Sequence, residues 1–184
     1  NKMPSAKDKT ALDIGANIGN HSIFFANNFK NVYPFEPNPV TYEVLKINCN
    51  FAAKHKNIMP INVGLSDKEG SLPFYINPSN MGGSQIIDAN NEFIKDAIQI
   101  NVKTLDQLNE LKDASIALIK IDVEGHELNV LKGAKVTISK NMPAILFEQS
   151  ASEIIDGSSS VIKYLEELGY EFFAIKKNFY CGES

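Results

Sequence analysis

Five short, largely apolar runs recur along the chain, at residues 10–14, 31–35, 58–63, 117–122 and 144–148, each bounded by polar or turn residues. Runs of that length and composition are the mark of strands buried on both faces. Amphipathic stretches separate them. Val40, Val44, Ile47 and Phe51 recur every three or four residues, which predicts a helix with that face packed on the sheet. Thr104 and Gln107 have the spacing of a capping box, followed by an apolar stripe of Leu105, Leu108 and Leu111. Val161, Ile162, Leu165 and Leu168 repeat the pattern ahead of Gly169, which is placed to stop a helix. Parallel strands need crossover connections, so the alternation predicts an α/β fold: a parallel sheet with helices on both faces. Ligands of such sheets bind beyond the carboxyl ends of the strands.

Two regions break the alternation. Residues 70–103 hold a short strand near 71–76, an irregular Asn/Gly/Ser section with Gly82-Gly83-Ser84-Gln85, and a second strand near 98–102. They read as an insertion over one edge, with Gly82 to Gln85 as a flexible segment above a pocket or a plain turn. Residues 170–175 and 179–182 read as a closing antiparallel hairpin. A single domain is expected from 184 residues, of which 43% are hydrophobic, enough for one real core.

Charges break every apolar run well short of the ~20 residues that a membrane span requires. The two cysteines, Cys49 and Cys181, lack a metal-ligand spacing and read as reduced thiols, so the cytoplasm is the expected location. The chain opens at Asn1 without a secretory pattern, as an excised domain would. Its net charge is −4 and all 18 basic residues are lysines. Lysine can contact phosphate, but without a bidentate guanidinium nucleic acid is a poor candidate partner.

Asp13-Ile14-Gly15-Ala16-Asn17-Ile18-Gly19 follows the first strand and precedes a short helix with Phe24 and Phe25. Glycine at such a turn admits positive φ and lets the backbone approach a ligand. The spacing is G-x-x-x-G, not the G-x-G-x-x-G that accommodates a pyrophosphate, and no Walker lysine is present. A ligand without phosphate fits better. S-adenosylmethionine is one: Asp13 can serve its ammonium side, and the loop amides of Gly15, Ala16 and Asn17 its carboxylate. Glu36, with Pro37 beside it, ends the second strand 21 residues after Gly15, where a carboxylate can take both ribose hydroxyls. Ser66 and Asp67, after the third strand, are placed to reach the adenine edge.

The blocks ALDIGANIGNHS, VYPFEPNP, VGLSDKEG, GGSQI, LIKIDVEGHELNVLKGA and ILFEQ, in this order, resemble the FkbM family of methyltransferases over about residues 11–149. IDVEGHE with the downstream LKGA is the most distinctive block. The resemblance implies a Rossmann-like class I methyltransferase fold, a seven-stranded mostly parallel sheet in the order 3-2-1-4-5-7-6 with strand 7 antiparallel. It also implies S-adenosylmethionine as methyl donor, commonly O-methylation of a small molecule or glycan, and donor-site roles for Asp13, Gly15, Asn17, Gly19, Glu36 and Asp122. The N-terminal helix that usually covers the donor is hardly represented before Thr10.

Asp122, Glu124, His126 and Glu127 crowd the exit of the fourth strand, with Glu148 ending the fifth and His21 starting the first helix. Transfer of a methyl group to a hydroxyl needs alignment and a general base. Glu124, His126 and His21 are the candidate bases, and Asp122 the residue that orients donor or acceptor. His126 with Glu127 could equally cap the following helix. Asp122, Glu124 and His126 are also the kind of side chains a divalent ion accepts, although clustered acids more often act as bases and no metal is assigned. Two other functions share parts of this pattern: a nicotinamide-dependent oxidoreductase, and a non-catalytic module that keeps the donor pocket.

Overall fold

The computed structural model describes residues 6–52, 56–88, 90–148, 154 and 158–173. Its elements in chain order are β1 (Thr10–Ile14), α1 (Asn20–Ala26), β2 (Asn31–Phe35), α2 (Pro39–Ala52), β3 (Gly64–Leu65), β4 (Gly70–Tyr75), β5 (Gln85–Ile86), β6 (Ile98–Lys103), β7 (Ile116–Ile121), α3 (Glu127–Lys132), α4 (Lys135–Asn141), β8 (Ala144–Phe147) and α5 (Ser160–Glu167).

Four strands form a parallel sheet in the order β2-β1-β7-β8. Helices cover both of its faces, as the alternation predicts. On one side Phe25 and Ala26 of α1 pack on Ala11 and Val32. On the other, Leu12, Ile14, Phe35, Ile119 and Ile121 meet Val130, Leu131, Ile138, Val161 and Leu165. Each large side chain buried this way stabilises the fold by roughly 1.5–3 kcal/mol.

The expected single sheet of seven strands is not what forms. The described strands divide into this sheet and a second one, β3-β6-β4-β5, in which β4 is antiparallel to both neighbours. The run at 58–63 does lie beside β2, but only through isolated bridges at Val32–Ile58 and Phe35–Ile61. Pro34 of β2 has no N–H to give between these bridges, and Ile61 is the last residue to pair, donating to the Pro34 carbonyl at 2.9 Å and accepting the Glu36 amide at 3.2 Å. Beyond Ile61 the Val63 amide turns back to the Ile61 carbonyl, so the chain leaves β2 and pairs as Gly64–Leu65 with β6 instead. β8 is half-exposed rather than buried on both faces, being the edge of the described sheet. The expected closing hairpin lies largely outside the described residues, and no strand is present at 171–173.

Helix α2 forms where predicted but turned about its axis. Val40, Val44, Ile47 and Phe51 are all exposed, Phe51 at 88%, whereas Thr41, Leu45 and Cys49 are buried. The reason is steric. Leu45 and Cys49 are the neighbours of Gly19, where a Cβ would stand 2.6 Å from Leu45 Cδ1, and Ala16 joins the same cluster. The helix docks on the glycine turn through that stripe. The Leu105, Leu108 and Leu111 stripe is buried as expected, on two 3₁₀ turns, and Thr104 bonds the Gln107 side chain at 2.9 Å rather than capping a helix. Ser159 accepts the Ile162 amide at 3.1 Å and starts α5, which ends before Gly169 at φ 87°.

Candidate functional site

The turn after β1 is held in a shape that few residues tolerate. Gly15, Asn17 and Gly19 have φ of 72°, 50° and 93°, the left-handed region open to glycine and, next best, asparagine. At Gly15 the constraint is also spatial, since a Cβ would lie 1.8 Å from the Asp122 carbonyl oxygen. The glycine lets β1 and β7 end side by side.

All three amides predicted to face a ligand carboxylate are engaged within the protein. Gly15 and Ala16 donate to the Phe35 carbonyl at 3.1 and 3.0 Å, and Asn17 donates to Glu36 Oε2 at 2.9 Å. Tucking the turn under the end of β2 uses up its donors. Glu36 is thereby fixed at both oxygens, because Oε1 accepts the Asn38 amide at 2.9 Å. Burial pushes the Glu36 carboxyl above its ordinary value, against the opposing pull of these two amides.

Glu36 lines a crevice of about 440 Å³ including its open mouth, together with Gly15, Pro37, Leu65, Asp122 and Val123. Phe74, Ser84 and Ile86 of the 70–103 segment close it from the side. That segment also reaches the glycine turn, where a Cβ on Gly82 would lie 3.4 Å from Asn17 Nδ2. Sheet two is therefore the wall of the crevice formed by sheet one.

Asp13 lies under the turn, with none of its surface exposed. Its Oδ2 accepts a hydrogen bond from Ser22 Oγ at 2.5 Å, and its Oδ1 stands 3.2 Å from Lys120 Nζ without a hydrogen bond aligned to it. The same ammonium is 3.3 Å from Asp122 Oδ2 and donates to the Gly15 carbonyl at 3.4 Å. Sequence reasoning passed over Lys120. The signal was a lysine inside the apolar run Ile116–Ile121, directly opposite Asp13 in the β1–β7 register.

The remaining candidates separate. Glu124 follows the crevice wall at φ 51°. His126 lines a second, wider cleft with Ser66, Asp67, Asp88 and Asn129. There its Nε2 lies 2.9 Å from Ser66 Oγ, and Ser66 Oγ donates to Asp67 Oδ1 at 3.3 Å. Burial draws the His126 imidazole below its ordinary value, with Asp67 opposing. Leu65 leads from the crevice into Ser66, Val123 into Gly125, and Ile86 lines both, so the two clefts adjoin. His21 is exposed on α1, its ring 6.1 Å from that of Phe25. Glu148 is exposed beyond β8. Among the described residues no three His, Cys, Asp or Glu side chains converge as metal ligands would.

Two further residues fix the loop after β7. Glu127 ties down the chain ahead of α3, its Oε1 accepting the Val123 and Gly125 amides, each at 3.2 Å, while His126 is the N-cap residue without a side-chain cap bond. Gly133 of the LKGA block abuts Ser66, and a Cβ there would fall 2.0 Å from the Ser66 carbonyl oxygen.

Residues 13–172 match the family described as the methyltransferase FkbM domain. The chain belongs to the FkbM methyltransferase family. It is 33% identical over 130 residues to the hexuronic acid methyltransferase AglP of Haloferax volcanii, covering 69% of this chain and 50% of that one. It is 30% identical over 152 residues to the methyltransferase sdnD of Sordaria araneosa, covering 66% and 59%. The chain thus spans about half the length of the curated relatives it matches. Among solved structures, the FkbM methyltransferase of Methylobacillus flagellatus superposes with a TM-score of 0.53 at 22% identity, over 79% of this chain and 34% of that one. The Rossmann-like α/β fold is shared. No helix among the described residues is long and apolar enough to cross a membrane.

Proposed function

We propose that this FkbM domain binds S-adenosylmethionine in the crevice beside Gly15 and Glu36 and transfers its methyl group to a hydroxyl of a small molecule or glycan. The observation that carries the reading is the chemistry of the crevice. The amides of Gly15, Ala16 and Asn17 are already bonded to Phe35 and Glu36, and a phosphate would face the carboxylates of Glu36 and Asp122. Hydroxyl and ammonium donors are what such a lining accepts.

S-adenosylmethionine supplies an electrophilic methyl group on a sulfonium. Glu36, anchored by one amide at each oxygen, keeps lone pairs for a ribose diol. Asp122 offers its half-exposed carboxylate to a cationic group. The acceptor proton requires a base near the crevice, and Glu124, one residue beyond its wall, is the first candidate. His126 is the second, on the adjoining cleft, with an imidazole that burial keeps neutral near pH 7. His21 ranks behind both because α1 leaves it exposed. The name of the hexuronic acid methyltransferase relative supports a sugar derivative as acceptor.

Calorimetry with S-adenosylhomocysteine tests the donor without knowledge of the acceptor. Binding is expected, and Glu36→Ala should weaken it by at least about 1 kcal/mol, the scale of hydrogen bonds to a charged group. A protein that binds NAD(H) but not S-adenosylhomocysteine would overturn the reading. Tight donor binding with no turnover across a broad screen of acceptors would leave only a binding module.

A further inference from the structure

Lys120 is a charged side chain in a place that ordinarily excludes one. It is the penultimate residue of β7, 5% exposed, at the point where β1 and β7 reach the crevice. A lysine buried this deeply loses its hydration and persists only if paired. Here it is paired twice, with Asp13 at 3.2 Å and Asp122 at 3.3 Å. The two carboxylates differ in what they face. Asp13 is fully buried, whereas the Asp122 side chain keeps 34% of its surface on the crevice.

We propose that Lys120 is the positioning residue of the donor crevice: braced by Asp13 from below, its ammonium holds the Asp122 carboxylate directed at the cationic end of the donor. This rests on the reading of the crevice as a donor site. Two carboxylates and one ammonium leave one net negative charge, and the bracing assigns it to the exposed partner. Without the cation nothing would offset the repulsion between the two carboxylates or fix the direction of the exposed one. Other groups facing the triad do not replace the ammonium. Ser22 of α1 is a neutral donor to Asp13, Cys49 of α2 is a thiol that burial keeps protonated, and Glu36 of β2 adds a further negative charge.

The test is a double-mutant cycle. Lys120→Met keeps an unbranched apolar stem, one atom shorter, and removes the charge. S-adenosylhomocysteine binding is measured by calorimetry near pH 7.5 for the wild-type protein, K120M, D122N and K120M/D122N. Affinity should fall by about tenfold or more in K120M, as for a lost charge-assisted contact. Once Asp122 is neutralised the lysine should no longer matter, so the affinity of K120M/D122N should match that of D122N within about twofold. Glu36 is present in all four proteins and cancels from the comparison.

A K120M affinity equal to the wild-type value would overturn the proposal. So would K120M/D122N binding about tenfold more weakly than D122N, because Lys120 would then act independently of Asp122. That second comparison also decides the matter if K120M does not fold alone. Failure of the wild-type protein to bind S-adenosylhomocysteine would instead remove the donor reading itself.

Discussion

Gly133 and Ser66 touch main chain to main chain: a Cβ on Gly133 would lie 2.0 Å from the Ser66 carbonyl oxygen and 2.9 Å from its carbon. Neither partner can rotate away, as a flexible side chain could. Gly133→Ala should therefore cost about 1–3 kcal/mol, the range for overpacking a rigid contact. At roughly 2–4 °C per kcal/mol for a domain of this size, a thermal melt would resolve it. An unchanged midpoint would mean that α3 slides freely over the Ser66 strand end.

On the proposed donor site, Glu36 would couple S-adenosylhomocysteine binding to pH. Its folded carboxyl titrates above its ordinary 4.5 because burial penalises the charged form, while a ribose diol needs the ionised form as acceptor. Binding must then displace a proton below the raised value. Affinity for S-adenosylhomocysteine should rise as pH increases from 4.5 through that value and level off beyond it. Glu36→Gln should bind more weakly, by at least about 1 kcal/mol at neutral pH, with a flatter profile over the acid range. Parallel profiles for the two proteins would take Glu36 out of the linkage.

His126 gives stability a pH dependence of determined sign. Burial lowers its folded value below the ordinary 6.5, so the unfolded chain takes up the proton first on acidification. The contribution is present above pH 6.5 and is lost as pH falls through the folded value. Urea unfolding between pH 8 and 5 should show a steeper loss for the wild-type protein than for His126→Gln. Equal slopes would mean that the imidazole is as hydrated in the folded protein as in the unfolded chain.

Cys49 should be inert while the protein is folded. It is 5% exposed and burial pushes its thiol up to about 11, against an ordinary value of 9.0. Its thiolate fraction at pH 8 is then smaller by about a hundredfold, and the thiolate is the reactive species. In a Cys181→Ser protein, which leaves Cys49 as the only thiol, a disulfide reagent should react only after denaturant is added. Rapid reaction in native buffer would show that α2 lifts from the glycine turn.

Much of the plan was legible along the chain because it depends on local period and turn chemistry. The runs that became β1, β2, β7 and β8, the helices α2 and α5, and the turn at Gly15 to Gly19 all declare themselves within a few residues of sequence. The places of Glu36 and Asp122 on the crevice were legible for the same reason, since both follow directly on a strand of the parallel sheet.

What escaped the sequence depended on which partner each element meets. The apolar stripe of α2 has the right period, yet packing against Gly19 selects the adjacent stripe of Leu45 and Cys49 and leaves Phe51 outside. The third run pairs with β2 only through isolated bridges, and the residues just after it join a second sheet. The amides of the glycine turn close on Phe35 and Glu36 rather than on a ligand. Lys120 was unremarkable as one letter in an apolar strand until the register with β1 placed Asp13 opposite it. Sequence alone determined the alternation of elements and the residue types at the strand ends. Only the tertiary structure decided which buried charge answers which, because that pairing is made between segments about a hundred residues apart, across a distance no local pattern records.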